Sequence, residues 1–520
     1  MTSERVYLST TIPYVNARAH LGHALELVQA DVLARHHRQA GDQVRSQTGT
    51  DDNSLKNVLA ADAEGIPVAA LVDRNASAFA ALAQPLSLSF DDFIRTGSDP
   101  RHRPGVERLW RACAASGDLY RKRYEGLYCV GCEQFYRPAE LPEGLCPEHR
   151  TRPEPVAEEN WFFRLSRYAG QLHDLISSGR LRIEPAARRN EVLGFIAGGL
   201  EDFSASRSTA RARGWGIPVP GDPGQVIYVW WDALGNYITA PGYGTDAEDY
   251  GRWWTGADRR IHLVGKGVLR FHAVYWPAIL LSAGEPLPTD ILVHDYLTIG
   301  GSKISKSGAV AGSETADPVE LVDAYGTDAV RWWLLREVPR VGDADFTAAR
   351  LVARANEDLA NGLGNLVSRV VTLVHRYRQG RIPRPDESPA AATTSGRQAL
   401  AAACQRAPGR VAAALASFDF RVATAAVWDV VDEANRYAER TQPWLLARAE
   451  REGDPAAGQL LDESLALLSS ACSELAVLLA PFLPSLAGRI RAALDDSAGQ
   501  LPAADPVFPR LEAVVIGDAA

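Results

Sequence analysis

The stretch "RVYLSTTIPYVNARAHLGHALELVQADVLARHHRQAGDQVRSQTGTDD", residues 5 to 52, decides the architecture. Its opening "RVYLST" (5 to 10) reads as a buried strand. From Ala24 the period changes: Ala24, Leu27, Val28 and Val32 recur at helical spacing, and Gly41 supplies a stop. "QVRSQTGT" (43 to 50) then reads as a second strand, ending at Asp51. Strand, helix, strand is a βαβ unit, the building block of a doubly wound parallel sheet. His20 and His23 therefore fall between the carboxyl end of the first strand and the amino end of its helix. Ligands bind there in such sheets, and helix amino ends favour anions.

Two imidazoles at that junction can ligate a metal, move protons or meet a phosphate. No thiol partner stands nearby in sequence, which disfavours a metal. Imidazole N–H groups at a helix amino end can meet charge developing on a phosphoryl group. Gly22 lets a ligand approach the backbone, and Asn16 offers a polar group. Spacing alone leaves the phosphate reading level with a second one, two packed histidines that cap a helix.

Beyond residue 116 the alternation breaks. Residues 116 to 220 are richer in Tyr, Cys, Pro and Arg and read as an insertion between two halves of the sheet domain. Strand signals return with "QVIYVWW" (225 to 231), "RIHLVG" (260 to 265) and "DILVHDYLTI" (290 to 299). After about residue 350 the chain reads as helical, with a loop at 381 to 396. Leu461, Leu465, Leu468, Cys472, Leu475 and Leu479 repeat at four-three spacing and read as core packing in a helix bundle.

At 520 residues the chain is too long for one core. A net charge of −9 gives no global basic footprint, so a nucleic-acid partner has to be met by a local patch. No signal pattern or membrane-length apolar run is present, and a cytoplasmic location is expected. Among six cysteines, "CVGC" (129 to 132) and "CPEH" (146 to 149) form two pairs joined by 13 residues. Cys129, Cys132, Cys146 and His149 suit a closed, structural Cys3His zinc knuckle in a reducing compartment. Only five of the 55 basic side chains are lysines, and Lys303 and Lys306 share "GSKISKSG". Where Arg serves almost everywhere, a retained Lys suggests a need for a flexible ammonium that reaches phosphate oxygens. Taken alone, the segment is as often a charged surface loop.

"HLGH" and "KISKS" resemble the two signature motifs of class I aminoacyl-tRNA synthetases. "PYVNARAHLGHA", "TGTDD", "EGLYCVGCEQFY", "ENWFFRL", "RNEV", "WGIPVP", "YVWWDALGNY", "FHAVYWPAIL" and "YGTDAVRWWLLRE" resemble, in order, segments of the methionyl-tRNA synthetases, essentially end to end. No insertion is large enough for the editing domain of the isoleucine, valine and leucine enzymes. The resemblance implies an α/β fold: a Rossmann-type doubly wound parallel-sheet catalytic domain with an inserted zinc-knuckle connective domain, then an all-α anticodon-binding helix bundle. Its expected boundaries are 1–115 and 221–300 for the two catalytic halves, 116–220 for the insertion, 301–350 for the KISKS loop and stem-contact region, and 351–520 for the bundle.

The same resemblance implies roles. His20, His23, Lys303 and Lys306 match catalytic groups that bind ATP, with Gly22 and Gly265 also at the nucleotide. Ile12, Tyr14, Trp230, Ala233, Leu234, Tyr237, His272 and Trp276 match a methionine pocket, and Asp51 the carboxylate for the substrate ammonium. Asn365, Arg369, Pro443 and Trp444 match readers of a CAU anticodon. ATP as substrate, Mg²⁺, one structural Zn²⁺, L-methionine and a tRNA are implied; no DNA or membrane partner is, and a monomer is expected. Two departures stand out. Gly267 occupies a place where the family has an aspartate at the ATP ribose, a contact worth roughly 1.5–3 kcal/mol, so Gly267→Asp is expected to tighten ATP binding. Asp52-Asn53-Ser54 replaces the usual acid-His-Gly. Beside a working synthetase stand two other readings: a related ligase with a different acceptor, which would not need the CAU readers, and a non-catalytic tRNA binder, which would not need both KISKS lysines.

Overall fold

The computed structural model describes residues 3–131, 134–136, 138–147, 150–245, 248–304, 316–384 and 395–512. The described residues divide into two compact units, one from residues 3–84 and 88–296, the other from 85–87, 297–304 and 316–512.

The first unit is built on a six-stranded sheet. Its strands are β1 (Arg5–Thr10), β2 (Gln43–Thr50), β3 (Asp92–Arg95), β4 (Arg182–Glu184), β5 (Arg259–Gly265) and β6 (Asp290–His294). They lie in the order β3-β2-β1-β5-β6-β4, and every neighbouring pair is parallel. Helices cover such a sheet on both faces, so Val6, Tyr7 and Leu8 of β1 and Ile261, Leu263 and Val264 of β5 are all fully buried. From β1 the chain moves outward to β2 and β3, then crosses to the other side, where β4 forms the edge and β5 takes the place beside β1. The carboxyl ends of β1 and β5 thus flank the switch point where open α/β sheets bind ligands. The helix Leu21–Gln39 begins beside that point.

The expected strands at 5–10 and 43–50 match the observed ones residue for residue. Three expectations need correction. "QVIYVWW" is a strand only as far as Ile227; Val229, Trp230 and Trp231 open the helix Val229–Thr239. This helix is buried almost all round, and a continuous apolar run does not distinguish a buried strand from a buried helix. "DILVHDYLTI" is two strands, because β6 stops at His294 and Leu297–Ile299 belongs to a small sheet of the second unit. Residues 116–220 do form a four-stranded antiparallel sheet (Gln134–Tyr136, Leu119–Cys129, Glu154–Phe163, Phe203–Ser204). They are not separate from the parallel sheet, however, because β4 returns to pair with β6 at its edge.

The second unit is mostly helical. Leu461, Leu465, Leu468, Cys472, Leu475 and Leu479 all lie on the helix Pro455–Leu479, and each is 0% exposed, as a core stripe requires. Most of the expected loop at 381–396 lies outside the described residues. No helix among the described residues is long and apolar enough to cross a membrane.

Candidate active site

The two histidines cap the helix whose amino end they occupy. His20 is the N-cap, and its Nδ1 accepts from the Gly22 amide at 3.1 Å. His23, at the third helical position, returns the bond: its Nδ1 accepts from the His20 amide at 3.1 Å. Together they form a capping box made of imidazoles. The rings stack at 3.8 Å, and Phe79 packs its edge against His23. A nitrogen that accepts an amide hydrogen carries no proton, so Nδ1 is the bare nitrogen of each ring and Nε2 bears the hydrogen. The cap reading and the phosphate reading are therefore compatible: one nitrogen serves the backbone, and the other is an N–H donor at a helix amino end. Gly22 serves a purpose beyond ligand approach. A Cβ there would stand 2.9 Å from His20 Cε1, so glycine is needed for the ring to fold over the helix end.

Several of the expected pocket residues gather in one packed aromatic cluster. Trp230 meets Tyr14 edge-on at 6.2 Å and His272 at 6.4 Å. Tyr237 packs against His272 and Trp276. Ala233, Leu234, Tyr237, His272 and Trp276 are buried, while Ile12 and Tyr14 are half-exposed. The histidines of this cluster are neutral. His272 Nδ1 donates to the Val268 carbonyl at 2.9 Å, so its Nε2 must accept from the Tyr237 hydroxyl at 2.8 Å. Burial pushes this imidazole down to about 4, against the pull of the Val268 bond. Trp276 Nε1 donates to His262 Nε2 at 3.2 Å, and His262 Nδ1 then donates to Ser9 Oγ at 2.6 Å. Burial also holds His262 well below the ordinary imidazole range.

Asp51 sits beside this cluster. It bridges to Tyr14, is 1% exposed, and its Oδ1 accepts the Asn53 amide at 3.1 Å. Its two neighbours fill structural places. Asn53 Nδ2 donates to Asp232 at 2.7 Å, and the other oxygen of Asp232 accepts from His102 Nε2 at 2.5 Å. Asn53 thus needs only a donor, which an amide supplies without a charge. Asp52 is fully buried, bonded to Thr50 Oγ1 at 2.8 Å and paired with Arg95 at 3.1 Å. Burial raises its carboxyl despite the Arg95 charge, so the acid kept in the sequence here braces the loop.

Sequence reasoning missed several partners. Phe271 stacks flat on Trp230 at 3.8 Å, and only its place beside His272 hinted at it. Glu26 Oε1 accepts from the Thr11 amide at 2.6 Å, while its Oε2 meets His294 Nε2 at 2.9 Å, linking the carboxyl ends of β1 and β6. Burial lowers His294, but the Glu26 bond and charge outweigh this and leave its imidazole raised. A polar residue inside an apolar helix pattern, as Glu26 is, was the available signal.

The remaining candidates fall on other elements of the chain. Lys303 belongs to the strand Ser302–Lys303 of the second unit, while Lys306 lies outside the described residues. Asn365 and Arg369 are one turn apart on the helix Asn365–Arg378, where Arg369 donates to Asn435 Oδ1 at 2.5 Å. Pro443 opens the helix Pro443–Arg451, and Trp444 next to it is 38% exposed. Cys129 and Cys146 are buried in a four-residue cluster with Tyr136 and Leu141. Cys132 and His149 lie outside the described residues. Gly265 ends β5, where His294 lies 3.4 Å from the site of a Cβ. At Gly267 a Cβ would stand 2.1 Å from the Tyr296 hydroxyl, so an aspartate there requires the Tyr296 side chain to shift.

A family model for class I tRNA synthetases (M) matches residues 6–154 and 149–371. The methionine–tRNA ligase of Mesorhizobium japonicum is 38% identical over 534 aligned residues, covering 98% of each chain. That of Mycobacterium tuberculosis is 40% identical over 504, covering 95% of this chain and 92% of its own. A crystal structure of the Mycobacterium tuberculosis methionyl-tRNA synthetase bound by methionyl-adenylate matches with a TM-score of 0.89 at 37% identity, covering 97% of this chain and 100% of that one. With its switch-point histidines and likeness of this extent, the chain belongs to the methionyl-tRNA synthetase family of class I tRNA synthetases.

Proposed function

We propose that this protein activates L-methionine with ATP to methionyl-adenylate and transfers the methionyl group to the 3′ terminal adenosine of a tRNA with a CAU anticodon. One observation carries the reading: an aromatic cluster with two neutral histidines, reached from Asp51 through Tyr14, lies in the same unit as a two-histidine cap at the switch point of a doubly wound sheet.

The cluster suits an unbranched thioether. Sulfur is favourable beside aromatic rings, at about 0.3–1.5 kcal/mol per contact. Neutral His272 and His262 leave no ion to pair with a charged side chain. Asp51 accepts the substrate ammonium and so fixes which way the carboxylate points. That carboxylate attacks the α-phosphorus of ATP, a new C–O–P linkage forms as the bond from the α-phosphorus to the bridging oxygen breaks, and pyrophosphate leaves; Mg²⁺ would neutralise part of its charge. Negative charge grows on the phosphoryl oxygens, and the Nε2–H groups of His20 and His23, with the ammonium groups of Lys303 and Lys306, stabilise it. An adenosine hydroxyl of the tRNA then attacks the acyl carbon, and AMP departs. Catalysis here is positioning plus charge stabilisation; the protein forms no covalent intermediate.

Asn365, Arg369, Pro443 and Trp444 read the anticodon in this account. A half-exposed Trp is a stacking platform for an unpaired base, and Asn and Arg bond base edges. Zinc fits the donor set of two buried thiols in a cluster set apart from the main core. Cys129, Cys132, Cys146 and His149 would hold it, and it would tie the connective turns together without touching the reaction. A cytoplasmic monomer completes the proposal. Methionine-dependent ATP–pyrophosphate exchange, followed by charging of a CAU-anticodon tRNA, tests it. Exchange without charging would point to a different acceptor, and tRNA binding without exchange to a non-catalytic protein.

A further inference from the structure

We propose that Asn53 and Asp232 are positioning residues that set which amino-acid length is activated, by fixing the loop that carries Asp51 to the helix Val229–Thr239. The role rests on the reading given above, in which Asp51 meets the substrate ammonium and the aromatic cluster takes the side chain. A substrate held at both ends is measured by the distance between them, so the contact that sets this distance also sets selectivity.

A continuous run of hydrogen bonds joins the two parts. The Asn53 amide donates to Asp51 Oδ1 at 3.1 Å, which orients that carboxylate. Asn53 Nδ2 has two hydrogens and meets two acceptors, Asp232 Oδ2 at 2.7 Å and the Thr96 carbonyl at 3.3 Å. Asp232 lies in the first turn of the helix, two residues after Trp230 and next to Ala233. His102 Nε2 holds its other oxygen at 2.5 Å, and His102 Nδ1 is bonded at 2.7 Å to Thr239 Oγ1, the last residue of the same helix. The helix is thus gripped at both ends, and Asn53 is the link from that grip to Asp51. Asp51, Asp232, His102 and Thr239 are each at most 1% exposed, so water cannot replace a lost donor.

The backbone of the loop has anchors of its own. Asn57 Nδ2 donates to the Asp51 and Asp52 carbonyls at 3.1 and 2.9 Å, and Trp215 Nε1 donates to the Asp52 carbonyl at 2.8 Å. Loss of the Asn53 side chain should therefore shift Asp51 against the helix without unfolding the loop. Both groups that face Nδ2 are acceptors, so an aspartate of nearly the same shape would be repelled by each.

The experiment is ATP–pyrophosphate exchange with methionine, norleucine and ethionine on the full chain, with thermal melting of each preparation. The variants are Asn53→Ala, Asn53→Asp, and Asn53→Asp combined with Asp232→Asn. Asn53→Ala should lower kcat/KM for methionine by about 10-fold and Asn53→Asp by about 100-fold. KM for ATP should stay unchanged, and the preference for methionine over norleucine and ethionine should narrow. The combined variant again sets a donor against a carboxylate and should recover part of the activity and selectivity lost in Asn53→Asp. Asn53→Ala introduces no charge and carries the test alone if Asn53→Asp does not fold. An equal loss for all three amino acids, activity unaltered in Asn53→Ala, or a combined variant no better than Asn53→Asp overturns the proposal. An unaltered chain with no methionine-dependent exchange would instead overturn the activity on which it rests.

Discussion

His20 serves two purposes through two nitrogens, and His20→Asn separates them. The asparagine Oδ1 lies the same number of bonds from the backbone as the imidazole Nδ1, and Asn is among the best N-cap residues. It can keep the bond now made to the Gly22 amide at 3.1 Å. It lacks any atom in the place of Nε2–H. If that donor meets charge developing on the phosphoryl group, its loss should resemble removal of one oxyanion donor, about 10²–10³-fold in kcat or roughly 2.7–4 kcal/mol. Stability should change by only a few tenths of a kcal/mol. His20→Ala loses both functions and should cost a further 0.5–2 kcal/mol or so of stability. The assays are pyrophosphate exchange at saturating methionine and thermal melting of the same preparations. The expected pattern is a slow but stable Asn variant and a slow, less stable Ala variant. An Asn variant that exchanges within about threefold of the unaltered protein would refute the argument and leave His20 a cap only.

Three other outcomes are expected. Lys306→Ala should cost about 2–4 kcal/mol in the adenylation transition state, read as kcat/KM for ATP in the exchange assay; unchanged turnover would remove the loop from the mechanism. His272, held neutral down to about 4 against 6.5 for an ordinary imidazole, binds its proton later than the unfolded chain does. It therefore has no effect on stability above pH 6.5 and destabilises the folded chain by about 3 kcal/mol as pH falls from 6.5 to 4; melting between those values should show a shallower loss for His272→Gln. Elemental analysis should find one zinc per chain, and Cys129→Ala should lose it while retaining some exchange activity, since the proposed ion is structural.

What could be read from residues alone follows a physical divide. Local signals sufficed where one element decides the matter: β1 and β2 were bounded correctly, and the leucine stripe at 461–479 is the buried face of one helix. They failed where burial on all sides erases periodicity, as at Val229 to Trp231. They failed again where one apolar run hides a break, as at His294-Asp295-Tyr296. The partners that set the chemistry of the site are long-range. Asn53 reaches Asp232 across 179 positions and Glu26 reaches His294 across 268, and no spacing rule spans such gaps. The change from the family's aspartate to Gly267 was visible in sequence, but its consequence was not, because Tyr296 fills that space only once the sheet is folded.

The most direct test of the account is ATP–pyrophosphate exchange by the purified full chain, with each amino acid supplied in turn, followed by acylation of a CAU-anticodon tRNA. The account predicts exchange with methionine, weak or no exchange with charged and β-branched amino acids, and charging of that tRNA. Exchange that is independent of methionine, or methionine-dependent exchange with no acylation of the tRNA, would contradict it.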